Sequence, residues 1–366
     1  MHISNESHNP VLVPASRTLL VTGGAGFIGS NFVHRHICNY PDTNFIVGDA
    51  LTYAGNMENL ASLRNNPNFQ FEKLDIADSD SVNTFFKKHQ PDWVIHFAAE
   101  SHVDRSILGP KVFINTNIVG TFNLLEAAKK LWKDNFEGHV FHHVSTDEVY
   151  GSLGDEGLFT ETTAYDPSSP YSSSKAASDH LVRAYHRTYG MPIKITNCSN
   201  NYGPRHFPEK LIPLMILNCF NRKPLPVYGN GLNVRDWLFV DDHCDAIWEV
   251  ATRGRLGGTY NVGGNAEIKN IDVVHAVIKV VSEETNAPLD ELKSLITYVT
   301  DRPGHDLRYA VDFSKLKNEL GWEPKESFET GLRKTVRWYL SNPEWVENIL
   351  SGEYRKWIET QYSEEK

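Results

Sequence analysis

The chain has 366 residues, 40% of them hydrophobic and 22% charged, the balance of an ordinary soluble globular protein with one large domain or two modest ones that share a core. A formal net charge of −10 argues against non-specific attraction to nucleic acid or an anionic membrane, while leaving room for a nucleotide held by a few local cations and helix ends. No apolar run approaches the ~20 residues of a bilayer span; the cysteines, Cys38, Cys198, Cys219 and Cys244, form no CxxC pair, which points to reduced thiols of a cytoplasmic protein and to neither a zinc site nor a disulfide frame.

Residues 1–16 are polar, lack the apolar segment of a signal peptide and read as a loose extension. A short apolar run, Arg17–Thr22, then leads through glycines into a helical pattern at Phe27–Cys38. Strand-like and helix-like segments alternate from there: strand Asn44–Gly48, strand Phe69–Leu74, helix Ser79–His89, strand Trp93–Phe97, helix Asn115–Leu131, strand His139–Val144, helix Pro170–Tyr189 and strand Ile193–Asn197. Such alternation predicts an α/β fold, a doubly wound parallel sheet with helices on both faces. From Tyr202 onward prolines and glycines interrupt the rhythm, with a strand at Thr259–Val262 and helices at Asn270–Ser282 and Phe328–Ser341. This half reads as a smaller C-terminal lobe. The expected division is 17–201 for the sheet domain with returns near 236–264, and 202–235 with 265–350 for the lobe.

Gly23, Gly26 and Gly29 form a G-x-x-G-x-x-G turn between the first strand and first helix. Glycine permits a tight turn and close backbone approach, and the helix N-terminus offers partial positive charge to phosphates. Asp49 ends the second strand 20 residues after Gly29, where a carboxylate can bond a ribose 2′-hydroxyl and would repel a 2′-phosphate; the cofactor is therefore expected to be NAD. Asp75-Ile76 and Phe97-Ala98-Ala99-Glu100-Ser101 end the third and fourth strands, the edge where ligands sit in open α/β sheets.

Ser168-Ser169-Pro170 reads as a helix start with serine capping and proline at the first position. Tyr171 and Lys175 then share one face, where an ammonium can lower a phenol's pKa for proton transfer near neutrality. Upstream, Thr146, Asp147 and Glu148 follow a strand. In a regular strand Thr146 and Glu148 would share a face and Asp147 would point away. Both acids can serve one substrate only if the strand ends and the backbone turns there. His142 and His143 precede this segment without metal spacing, so no metal is expected, and Trp338, Tyr339 and Trp357 are expected to pack the lobe.

The segments TGGAGFIGSNF, DALTYAGN, FAAESHVDRSI, STDEVYG, SPYSSSKAASDHLVRAY, TNCSNNYGPRHFPEKLIPL, LPVYGNGLNVRDWLFVDDH, TYNVGG and DRPGHDLRYA, spread from Arg17 to Leu340, resemble the extended short-chain dehydrogenase/reductases. Within them the chain is similar to the dTDP-glucose 4,6-dehydratases. The resemblance implies a Rossmann-type sheet domain, a nucleotide-sugar-binding lobe and a cytoplasmic homodimer with tightly held NAD. It implies that Tyr171 takes the sugar O4 proton, Lys175 lowers the Tyr171 pKa and holds the nicotinamide ribose, and Thr146 bonds near O4. Glu148 would remove the C5 proton, and Asp147, kept protonated, would protonate the departing C6 hydroxyl. Phe27, Ile28, Ala50, Leu51, Thr52, Ser101, Thr116 and Asn201 are further expected on the cofactor side. Asn200, Lys210, Leu211, Pro226, Tyr228, Arg235, Asn270, Arg302 and His305, with Ser101 and Thr146, are expected on the substrate side.

Other readings remain open on residues alone. A UDP-glucose dehydratase differs in recognising a base without one methyl, worth ~1 kcal/mol or slightly more in a fitted pocket. A nucleotide-sugar epimerase has no use for Asp147-Glu148 as an acid-base pair, and a decarboxylase is expected to lack the acid at 147. A GDP-mannose dehydratase would need room for a 2′-phosphate, which Asp49 disfavours. A non-catalytic NAD-binding sensor would have no reason to keep all five reaction residues.

Overall fold

The computed structural model describes residues 17–133 and 135–351; the extension expected over residues 1–16 and the packing expected of Trp357 lie outside them. Six strands form in the first part of the chain: β1 (Arg17–Thr22), β2 (Thr43–Asp49), β3 (Phe69–Lys73), β4 (Trp93–His96), β5 (Val140–Thr146) and β6 (Ile193–Cys198). Six follow: β7 (Asn200–Tyr202), β8 (Leu225–Tyr228), β9 (Val234–Phe239), β10 (Thr259–Val262), β11 (Glu267–Lys269) and β12 (Ile296–Val299). The main sheet has the order β10-β6-β5-β4-β1-β2-β3, and every pairing in it is parallel. β4, β5 and β6 are buried at every residue, which is why they read as continuous apolar or mixed runs and not as alternating ones. The order reverses between β1 and β4, and a crevice opens at the carboxyl ends of these strands.

Helices α1 (Phe27–Ile37), α2 (Ser79–His89), α3 (Val103–Leu108), α4 (Pro110–Phe113), α5 (Thr121–Trp132), α6 (Pro170–Tyr189), α7 (Leu211–Phe220), α8 (Val240–Arg253) and α9 (Asn270–Thr285) follow in chain order, and a later helix spans Phe328–Ser341. The helix expected at Asn115–Leu131 differs: a π-helical turn at Ile114–Gly120 precedes α5. The wider turn faces the buried Asn117 inward, where it brackets the Glu100 peptide, accepting from its N–H at 2.8 Å and donating to its carbonyl at 3.0 Å. Such π turns recur at functional sites.

β5 runs two residues past its expected end, through Thr146, and then breaks into a 3₁₀ turn at Asp147–Tyr150. Thr146 caps that turn, its hydroxyl accepting from the Glu148 N–H at 3.3 Å. The required backbone break is therefore present. α7, α8 and the short strands β7, β8, β9, β11 and β12 were not expected. α7 is apolar on all sides and carries Pro213, so no helical period marks it.

α8 packs on α1, where Val240, Cys244, Ile247 and Trp248 share a core with Phe32, Val33 and Ile37. A separate core joins α7, α9 and the helix Phe328–Ser341 through Ile212, Met215, Ile216, Val274, Val277, Ile278 and Val336. Trp338 and Tyr339 pack there too. Only Ser199 separates β6 of the main sheet from β7, which pairs with β9 in a three-stranded sheet, so the chain passes from one core to the other at the crevice rim.

α6 starts with a complete capping box: the Ser169 hydroxyl accepts from the Ser172 N–H at 3.1 Å, and the Ser172 hydroxyl accepts from the Ser169 N–H at 3.0 Å. Ser169→Ala should cost about 1 kcal/mol of stability, the usual worth of an N-cap, read as a lower midpoint in denaturant unfolding.

Candidate active site

Gly23 adopts φ +69°, and a Cβ there would stand 2.6 Å from the Ala98 nitrogen. A Cβ on Gly29 would stand 2.4 Å from the Gly23 carbonyl oxygen. The turn is thus pressed between β4 and α1, and no side chain caps α1 at Gly26, which leaves first-turn N–H groups facing the crevice for a diphosphate. Asp49 is buried at the end of β2 and accepts from the Ala25 N–H at 3.0 Å and the Leu51 N–H at 2.8 Å. These bonds favour its ionised form, against the burial that raises its pKa.

One cavity of about 630 Å³ collects the expected residues. On the cofactor side it is lined by Gly23, Gly26, Phe27, Ile28, Gly29, Asp49, Ala50, Thr52, Asp75, Ile76, Phe97, Ala98, Ala99, Ser101, Thr116 and Asn201. Its centre carries Thr146, Asp147, Glu148, Tyr171 and Lys175, and its far wall Asn200, Lys210, Leu211, Pro226, Tyr228, Arg235, Asn270, Arg302 and His305. Leu51 is the exception: its side chain packs, partly buried, against the core under α1, and its backbone N–H bonds Asp49.

Asp147 is 1% exposed. Burial first, then the charges of Glu148 and Asp236, push its carboxyl well above the usual range. One of its oxygens accepts from the Thr146 hydroxyl at 3.3 Å, and the other, Oδ2, has no partner. Burial also raises Glu148, but Arg302, Lys210 and Arg235 oppose that rise. Asp147 is therefore the acid that stays protonated longer, as acid-base division between neighbouring carboxyls requires.

The Tyr171 phenol departs from expectation. Burial, then Glu148, push it well above its ordinary value, while the Lys175 ammonium donates to the Val144 carbonyl at 2.9 Å. The Thr146 hydroxyl opposes this rise.

On the far wall Arg235 is buried, donating to the carbonyls of Val234 at 2.8 Å and Asp306 at 3.0 Å and stacking over Tyr309 at 4.2 Å. Asp104 accepts from Tyr228 at 3.3 Å and faces Arg302 at 3.5 Å. Asn200 Oδ1, Asn270 Oδ1 and Arg302 Nε are buried without partners; buried polar atoms are normally paired, so these fit a polar ligand. Sequence reasoning passed over Glu209, beside Lys210, and Cys198, both of which line the cavity; a single acid in a Pro-broken loop and a single thiol at a strand end carry no periodic signal. Among the described residues no cluster of three or more His, Cys, Asp or Glu could hold a metal, and no helix is long and apolar enough to cross a membrane.

A glycine turn at the sheet's switch point, with a Tyr-Lys pair facing the same crevice, defines a short-chain dehydrogenase/reductase site of the extended kind. The chain belongs to the family described as GDP-mannose 4,6 dehydratase, whose family model matches residues 20–335. It is 56% identical over 358 residues to the dTDP-glucose 4,6-dehydratase of Shigella flexneri, covering 94% of this chain and 98% of that one. A solved dTDP-glucose 4,6-dehydratase from Bacillus anthracis str. Ames in complex with NAD aligns with a TM-score of 0.82 at 48% identity, over 91% of this chain and 100% of that one. DesIV, a dTDP-glucose 4,6-dehydratase from Streptomyces venezuelae solved with NAD and TYD bound, aligns with a TM-score of 0.83 at 46% identity, over 91% and 99%.

Burial raises the Glu209 carboxyl to about 7. An acid raised on folding is favourable to stability below its unfolded value, and that contribution is lost as pH rises through the folded one. Relative to the parent, Glu209→Gln should therefore gain stability between about pH 4.5 and pH 7, by at most about 3.5 kcal/mol at about 1.4 kcal/mol per unit, seen in thermal midpoints across that range.

Proposed function

We propose that the protein is an NAD-dependent dTDP-glucose 4,6-dehydratase, a hydro-lyase that converts dTDP-glucose to dTDP-4-keto-6-deoxy-glucose and water. The observation that carries this reading is the break after β5, which brings to the cavity wall shared with Tyr171 and Lys175 an Asp147 whose carboxyl burial raises and a Glu148 flanked by cations. An epimerase has no work for such an acid pair. The dTDP-glucose 4,6-dehydratases similar to this chain over nearly its whole length support the same choice.

Residues 17–201 with 236–264 hold the cofactor and 202–235 with 265–350 hold the nucleotide sugar. The turn Gly23–Gly29 takes the NAD diphosphate, Asp49 the adenosine ribose, and Lys175 the nicotinamide ribose. When bound beside Tyr171 and Lys175, NAD would supply the hydride acceptor for C4 and the hydride donor back to C6.

Tyr171 takes the O4 proton with Thr146 beside it. The C4 ketone makes the C5 hydrogen acidic, so the oxidation has to come first. Glu148 removes that hydrogen, and Asp147 protonates the departing C6 hydroxyl. Each is positioned general catalysis by a group of suitable protonation. Arg235 and Arg302 offer planar donor forks to the diphosphate, with Asn200, Lys210 and Asn270 beside them. The four cysteines are unpaired, which fits a reducing cytoplasm. The exposed apolar side chains Leu108, Val112, Ile114, Val119 and Phe122 along α3 to α5 fit a homodimer joined through the sheet domain. Leu108→Asp with Phe122→Glu should convert it to a species of 41.5 kDa in sedimentation, and an already monomeric parent would refute the dimer.

Glu148→Gln should still show NADH absorbance on adding substrate, yet slow exchange of the C5 hydrogen with solvent by a hundredfold or more, about the weight of a general base. Native exchange would remove Glu148 from its role. Comparing kcat/KM for dTDP-glucose and UDP-glucose tests the nucleotide: about tenfold preference is what one buried methyl supplies, and equal values would sink the thymidine assignment.

A further inference from the structure

Beneath Lys175 lies a buried polar cluster that the reaction as described does not use. Asp179 follows Lys175 by one turn of α6 and is 0% exposed. Its Oδ2 accepts from the Ser145 hydroxyl at 2.9 Å, the Tyr165 hydroxyl at 2.7 Å and the Asn197 amide at 3.4 Å. Those residues come from β5, the segment before α6, and β6, so the carboxylate is clamped from three directions. Its Oδ1 has no aligned donor. It faces the His143 ring, whose Nε2 stands 3.1 Å from Asp179 Oδ1 and 3.4 Å from Lys175 Nζ. The imidazole thus stands between a buried carboxylate and a buried ammonium. His143 Nδ1 has no partner, and burial holds this ring's pKa down to about 4, so the ring is neutral and the cluster holds one negative and one positive charge.

A buried ammonium is costly unless a counter-charge lies close. Burial lowers the Lys175 pKa, and Asp179 is the largest influence opposing it. Asp179 itself is held below the usual carboxylate range despite burial, through His143, Lys175 and Tyr165. We propose that Asp179 is a positioning residue for Lys175: a clamped, fully buried carboxylate that keeps the ammonium charged and held at the end of β5, where it serves Tyr171 and the cofactor ribose. This inference rests on the dehydratase reading of Tyr171 as the base. It explains why a pair of hydroxyls and an amide from separate elements converge on a side chain that touches neither substrate nor cavity.

The groups facing Lys175 are Tyr171 and Asp179 on its own helix, His143 on β5, His96 on β4 and Cys198 on β6. Asp147 and Glu148 act on Tyr171, and Arg183 acts on His143. Burial lowers His96 and raises Cys198, so both stay neutral near pH 7.

The test is the pH dependence of kcat for the NAD-loaded enzyme on dTDP-glucose from about pH 6 to about pH 9. Asp179→Asn keeps the shape and an acceptor oxygen and removes the charge. Lys175 then loses its proton more readily, and Tyr171 titrates higher. The rising limb of kcat should move up by about one pH unit, about a tenfold loss at neutral pH that is recovered at high pH, with KM and bound NAD unchanged. A folded, NAD-loaded Asp179→Asn enzyme with the parent limb overturns the proposal. If that variant does not fold, Tyr165→Phe decides: a smaller upward shift supports the proposal, and an unmoved limb overturns it. Tyr171→Phe separates the two layers. If it stays active, the base assignment fails and this inference with it; if it is inactive while the Asp179→Asn limb is unmoved, only the inference fails.

Discussion

Burial of carboxyl groups at the end of β5 is the constraint on which the rest of the site depends. A carboxyl taken out of water resists ionisation, and Asp147 lies among other acids with almost no exposure. That cost is useful only if the neighbouring acid is spared. Arg302, Lys210 and Arg235 reach Glu148 from the second lobe, so the lobe supplies the charge that divides acid from base as well as a wall for the sugar nucleotide. The two halves of the fold meet where opposite protonation states are needed two atoms apart on one substrate.

The same logic extends below the cavity. The sheet interior, ordinarily apolar, carries His142, His143, Ser145, Lys194, Thr196 and Asn197, all buried. Partly satisfied polar networks in a core are destabilising, and fully satisfied ones rigidify it. Here His143, Ser145 and Asn197 gather around Asp179 beneath Lys175, while His142 pairs with Thr196 and Lys194 donates to the Ala251 carbonyl of α8. Stability is spent where orientation of a charged side chain matters, while β1 and β4 keep apolar contact with α1 and α8 through Leu19, Val21 and Ile95.

Much of this was legible in the chain itself. The glycine turn, the strand ends at Asp49 and Ala98, the serine-proline start of α6 and the Tyr171-Lys175 face all depend on local steric rules and short spacings, and the structure places them at one cavity. The segment from 202 onward was far less legible. α7 is apolar almost throughout because most of its residues are buried, and β7, β8 and β11 are three or four residues long, too short to show a period. At Leu51, adjacency to Ala50 and Thr52 does not say which way the side chain turns; with a positive φ of 54° it packs, partly buried, against the core under α1.

The amino-acid sequence by itself determined the class of fold, the phosphate-binding turn and the identity of the groups available for chemistry, because these follow from backbone sterics and from residue type at short range. Only the tertiary structure decided how those groups are charged. The cations that spare Glu148 lie tens to more than a hundred positions away along the chain, and Asp147 and Tyr171 are raised chiefly by burial, which the fold as a whole creates. Burial and Coulomb interaction depend on distance in space, and no reading along the chain supplies that distance.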